Sequence, residues 1–211
     1  MRVNVYVDGF NLYFGLKRYE RQGKLYKWLD LEALSRHELP NDTVHRVRYF
    51  TALVQPRPGN PQQGVRQQTY LRALQTIPNL SIDYGIFLTS VVTMMRHNPP
   101  PGRSPMVQVI KTEEKGSDVN IATRLLCDAY EQDFEMAVII SNDSDLVMPI
   151  EVVRRQLKKP VGVLNPNERF SNALKRAATF YRPIGEQGLA SCQFPPTLQD
   201  ATGTISKPPS W

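Results

Sequence analysis

Cysteine and histidine are scarce in this sequence. Among 211 residues there are two cysteines and three histidines. Cys127 and Cys192 lie far apart with no CxxC spacing, which argues against a disulfide framework or a thiolate metal knuckle. A reduced cytoplasmic protein is the expectation, with Cys127 read as a buried helix residue. His37, His45 and His97 are scattered, with neither an HExxH nor any other ligand spacing, so histidine-based metal hydrolysis finds no support. No apolar run approaches the ~20 residues needed to cross a bilayer. The opening MRVNVYVDGF is interrupted by Asp8 after a few apolar residues and does not read as a signal peptide. No membrane partner is expected.

Charge is plentiful and tilted. Lys and Arg number 26 against 20 acids, giving a formal charge of +6 and a pI near 9.4. That tilt is compatible with a polyanionic partner without establishing one. The acids are the more informative class, because several sit where a solvated surface charge has no reason to be.

RVNVYVD, MAVIIS and PVGVLN are short apolar runs dense enough for strands buried on both faces. VHRVRYFTALV and LSIDYGIFL read as further strands, and TFYRPI as an edge strand. Helices are expected from Asn11 to about Gln22, over LDLEALSRHEL and over VRQQTYLRALQTI, the last with Val65, Tyr70, Leu71 and Leu74 as its apolar side. More follow from about Asp118 to Gln132, from Leu146 to Lys159 and from Asn172 to Ala177. QPRPGNPQQG is a Pro/Gly-rich loop. Residues 88–113, two β-prone runs around a Pro-rich tip, predict an inserted hairpin or flap. The domain is expected over 1–185, and 186–211, low in apolar content, as a loosely ordered tail. Strands alternating with helices predict an α/β domain with a mainly parallel sheet, whose ligands gather at the carboxyl ends of the strands.

That rule gives the acids their meaning. Asp8 directly follows the first strand, and Asp143 and Asp145 follow MAVIIS in the same way. Asp118 lies four, seven and eleven positions before Ala122, Leu125 and Ala129, on the stripe facing the sheet. Four carboxylates are therefore expected in one pocket if the first strand and the MAVIIS strand are neighbours. Two carboxylates about 5 Å apart repel by roughly 3 kcal/mol at an effective dielectric near 20. A cation relieves that cost, and an all-oxygen set suits Mg²⁺ or Mn²⁺. Taken singly, each acid could instead cap a helix. A haloacid-dehalogenase phosphatase also sets an Asp after its first strand, but needs a second two positions on, where this chain has Phe10.

Three stretches, VDGFNLYFGL, KGSDVNIATRLL and AVIISNDSDLVMPIEVVRRQ, together resemble the NYN domain, in the LabA-like (DUF88) branch of the PIN-like nucleases. The resemblance implies a PIN-like α/β/α sandwich and metal-dependent hydrolysis of RNA to a 5′-phosphate and a 3′-hydroxyl. It implies Asp8, Asp118, Asp143 and Asp145 as metal ligands, and Asp8, Asn11, Asp118 and Asp143 as the catalytic set. Lys115, Ser141 and Arg154 are candidate substrate contacts. Asn142 stands where the family most often has glycine, and Asn tolerates left-handed backbone angles. Single-stranded or structured non-duplex RNA is the expected partner, with Tyr13 or Phe14 available to stack on bases. A slow or non-catalytic RNA-binding module of the same fold is the alternative, and a homodimer stays open.

Overall fold

The computed structural model describes residues 1–56 and 59–211. The expected Pro/Gly-rich loop at 55–64 includes residues 57 and 58, which lie outside the described residues. Six strands form the central sheet: β1 (Arg2–Asp8), β2 (Thr43–Thr51), β3 (Leu80–Tyr84), β6 (Met136–Ile140), β7 (Val161–Asn165) and β8 (Phe180–Pro183). Their order is β3-β2-β1-β6-β7-β8. Every neighbouring pair is parallel, so the expected mainly parallel sheet is wholly so.

Parallel strands need crossover helices, and these cover both faces. Helices α1 (Gly9–Glu20), α2 (Leu31–Glu38) and α3 (Gln63–Gln75) lie on one side, with α4 (Ser117–Tyr130), α5 (Val147–Glu151) and α6 (Asn172–Ala177) on the other. The alternation of β1 divides its side chains between two cores. Val3, Val5 and Val7 pack with Leu12, Leu16 and Leu74, while Tyr6 packs with Ile121, Leu125 and Ile139. This is the α/β/α sandwich. A 3₁₀ turn (Ser144–Leu146) precedes α5 and a π-helical stretch (Val152–Gln156) follows it, so the expected 146–159 helix is three segments end to end. On α3, Val65 is exposed, while Tyr70, Leu71 and Leu74 are buried as expected.

LSIDYGIFL is two strands rather than one. Gly85 ends β3 and donates its N–H to the Thr51 carbonyl at 2.8 Å. A Cβ there would stand 2.6 Å from the Lys115 carbonyl oxygen, so only glycine lets the chain leave the sheet at this point. Beyond it, β4 (Ile86–Met95) pairs with β5 (Met106–Lys115) alone, making the expected inserted hairpin. Ile86, Leu88, Val91, Met95 and Ile110 on this ribbon are exposed.

The loosely ordered tail is corrected. Helix α7 (Glu186–Ser191) and the antiparallel pair β9 (Thr197–Asp200) and β10 (Gly203–Ser206) occupy it. Leu189, Cys192, Phe194, Ile205 and Trp211 enter the same core as Val3 and Leu74. The Trp28 indole N–H donates to the Pro195 carbonyl at 2.8 Å. Apolar side chains delivered one at a time from short elements give the segment its low mean hydropathy and still bury it. Cys127 is exposed and Cys192 buried, the reverse of the expectation for Cys127. At 100° per residue, Cys127 lies some 200° round α4 from buried Leu125. Among the described residues, no helix is long and apolar enough to cross a membrane.

Candidate functional site

Strand order reverses between β1 and β6, the switch point where a parallel sheet opens a crevice at its carboxyl edge. Asp8 closes β1 there. Its Oδ1 accepts the Asn11 backbone N–H at 2.9 Å and so caps α1. Its Oδ2 accepts the Ser141 hydroxyl at 2.9 Å. Gly9 lets α1 start directly over β2, since a Cβ there would stand 2.7 Å from the Phe50 carbonyl oxygen. Asp143, after β6, caps the 3₁₀ turn through the Asp145 N–H at 2.9 Å and donates its own N–H to Ser141 Oγ at 3.1 Å. The capping reading of Asp8 and Asp143 is therefore correct, and it coexists with convergence.

A cavity of about 210 Å³ at this edge is lined by Asp8, Phe10, Asn11, Phe14, Glu114, Ser117, Asp118, Asp143 and Asn167. Asp118 enters from the first turn of α4, which begins after Gly116 in the left-handed region at φ 102°. Three of the four expected acids thus border one cavity. Asp145 does not line it; it is exposed, and its charge reaches the site only by raising the Asp118 pKa from a distance.

The electrostatics carry the cost of that convergence. Asp8 is 5% exposed. Burial pushes its carboxyl up to about 6, opposed by the Asn11 and Ser141 hydrogen bonds and reinforced by the charges of Asp118 and Asp143. Burial also raises Asp118, with Asp143, Glu114 and Asp145 adding to it. Among the described residues no three His, Cys, Asp or Glu side chains form a ready-made metal cage. The lining is nonetheless carboxylate and amide oxygen around a small polar space, a donor set that suits a hard cation retaining several waters.

The remaining candidates separate. Asn11 Oδ1 accepts the Asn142 N–H at 3.0 Å and Asn167 Nδ2 at 2.5 Å, which turns its Nδ2 group to be the end free for a ligand. Ser141 is fully buried; its hydroxyl donates to Asp8 Oδ2 and accepts the Asp143 N–H. Lys115 is exposed beside Glu113 at 3.7 Å and does not line the cavity. Arg154 Nη1 donates to the Ala177 carbonyl, at the end of α6, and the side chain does not line the cavity either. Asn142 has no left-handed backbone; its amide bridges the Arg169 carbonyl at 3.0 Å and the Tyr181 hydroxyl at 2.6 Å, tying the acid-bearing loop to β8.

Sequence reasoning missed Glu114 and Asn167. Glu114 Oε1 accepts both the N–H and the hydroxyl of Ser117, at 3.1 and 2.8 Å, and so caps α4 from the hairpin root. The signal was an acid three positions ahead of a helix-starting serine. Asn167 had none, since it follows β7 in a loop rich in Asn.

Fold and site together define an α/β protein of the PIN-like kind, with an acidic cavity at the switch point of its sheet. The NYN domain model matches residues 2–185, and the chain belongs to that family of PIN-like nucleases. It is 30% identical to 6-hydroxy-3-succinoylpyridine 3-monooxygenase HspA of Pseudomonas putida, over 100% of this chain and 75% of that protein. A crystal structure of a protein of unknown function from Vibrio parahaemolyticus shares the fold with TM-score 0.56 and 16% identity, over 88% of this chain and 93% of that one.

Proposed function

We propose that this protein is a metal-dependent ribonuclease that hydrolyses phosphodiester bonds in RNA lacking regular duplex structure. The observation that supports the reading is the cavity shared by Asp8, Asp118, Asp143 and Glu114 at the switch point. In this reading Asp8, Asp118 and Asp143 hold Mg²⁺ or Mn²⁺, and Asp145 assists through water. Bound there, the ion supplies charge neutralisation at the phosphate and a more acidic water. The chain's own residues do the rest. Asn11 and Ser141 fix the Asp8 carboxylate in one orientation, and Asn11 Nδ2 donates to a phosphate oxygen. Phe10 and Phe14 keep one wall of the cavity apolar. Residues 1–185 are the catalytic unit, the C-terminal segment its brace, and a reducing cytoplasm its setting.

The test incubates single-stranded RNA with the protein and Mn²⁺, against EDTA and against Asp8→Asn and Asp143→Asn. Cleavage should require the metal and fall at least 100-fold in either variant. Cleavage indifferent to chelation and to both substitutions would remove the mechanism; RNA affinity without cleavage would favour a binding module. The Pseudomonas relative supports a second reading, hydroxylation of a pyridine. Oxygen uptake on 6-hydroxy-3-succinoylpyridine with a two-electron donor such as NADH separates the two, because hydrolysis of RNA consumes none.

A further inference from the structure

Beside the acidic cavity opens a groove of about 730 Å³ that shares Phe10, Phe14 and Glu114 with it. Its volume lies within the ~300–1,000 Å³ of small-ligand sites. Its walls are unusually aromatic. Phe14 stands at the common lip, 61% exposed, with its ring edge-on to Tyr13 at 5.5 Å. Phe10 holds Phe87 of the hairpin root at 5.6 Å. Tyr49 and Tyr70 also line the groove, and Trp211 packs on Tyr70 at 5.4 Å. Trp211 comes from outside the span matched by the NYN model.

The polar groups are as telling. Lys27 is buried, paired with Glu20 and set over the Tyr13 ring at 4.7 Å. Among the described residues, Lys17 and Arg66 line the groove with no acid within ion-pair distance. Two cations without an acid partner, beside the exposed Phe14 ring, fit a ligand that is planar and apolar in one part and anionic in another. In the nuclease reading a cation sits in the acid cavity, so the shared lip adds a constraint: that ligand also presents an anionic group to it. A nucleotide within a strand meets all three conditions.

We propose that the groove is a nucleobase subsite, taking one unstacked base next to the scissile phosphate. Phe14 is its stacking face, Lys17 and Arg66 meet flanking phosphates, and Trp211 closes the wall. The proposal rests on the nuclease reading above and deepens it. A base already paired and stacked in a duplex cannot enter without being extruded, so the groove makes single-strandedness a condition of cleavage.

The test measures binding in EDTA, where the proposed chemistry is silent. The probes are a labelled five-nucleotide single-stranded RNA, its duplex, a nucleoside 5′-monophosphate and nicotinate as a small aromatic acid. Phe14→Ala should weaken single-stranded binding about 10-fold or more. Lys17→Ala should lower the slope of log affinity against log salt by about one. Both positions are exposed, so thermal melts should not move; Trp211→Ala is a third variant, read only if its melt shows a folded protein. Single-stranded affinity and salt slope unchanged in both surface variants would overturn the subsite, even if Mn²⁺-dependent cleavage persists. So would duplex bound as tightly as single strand, or nicotinate bound more tightly than the monophosphate. If the variants behave as expected while the parent fails to cleave RNA, the subsite stands and the nuclease reading falls.

Discussion

Replacing Asp8 by Asn should stabilise the metal-free protein, although it removes a residue central to the site. Asp8 is almost wholly buried and its carboxyl is pushed from 3.8 up to about 6. An acid whose folded pKa is raised holds its proton longer when folded, so stability falls as pH rises from 3.8 to about 6. Above that window the ionised carboxylate costs about 3 kcal/mol, taking 1.36 kcal/mol per pKa unit. Asn caps a helix as well as Asp does, so the bond from the Asn11 N–H survives. The Ser141 hydroxyl loses its acceptor, at a cost of about 1 kcal/mol. The net gain is about 2 kcal/mol at pH 8, which for a chain of this length raises Tm by roughly 4–8 °C. Below about pH 4 the carboxyl is protonated in both states, and the lost Ser141 bond leaves the variant about 1 kcal/mol less stable than the parent. Saturating Mn²⁺ should reverse the order, because the parent alone gains binding energy. Scanning calorimetry at pH 8 in EDTA and then in Mn²⁺ reads both signs. A variant less stable than the parent in EDTA would refute the account of buried, unrelieved charge. Equal Mn²⁺ shifts in both proteins would refute Asp8 as a ligand.

Asp128→Asn should be the opposite kind of change. Asp128 receives Arg48 through two bonds of 2.7 Å and the Tyr6 hydroxyl at 2.7 Å, so the variant removes the counter-charge of a part-buried guanidinium and should lose about 3 kcal/mol in urea denaturation. Phe194→Ala should cost about 3–5 kcal/mol by the same measurement; a change within ~0.5 kcal/mol would mean that the C-terminal segment contributes nothing to the core.

What could be read in the sequence was what short-range pattern encodes. β1, β6 and β7 are apolar along their length because each is buried between two layers, and that density is visible directly. Once they are strands, Asp8 and Asp143 must lie at the sheet's carboxyl edge. The break at Gly85 was hidden, because IDYGIFL keeps a strand-like composition across a glycine required by the Thr51 and Lys115 carbonyls. The placement of Ser141, Lys115 and Arg154 away from the cavity was hidden for one reason. Each is a polar residue near the motifs, but its partner (Asp8, Glu113 or the Ala177 carbonyl) decides which way it turns. The C-terminal segment was misjudged because single buried side chains such as Phe194 and Trp211 carry no periodicity.

The ribbon of β4 and β5 has a mechanical consequence. Its strands pair over ten residues each, from Ile86 opposite Lys115 to Met95 opposite Met106, so it reaches about 30 Å from its root. That root carries Glu114 and joins the helix bearing Asp118 through Gly116 alone. A lever so long, hinged at its root on Gly85 and Gly116, would convert a grip at its far end into a displacement of two carboxylates.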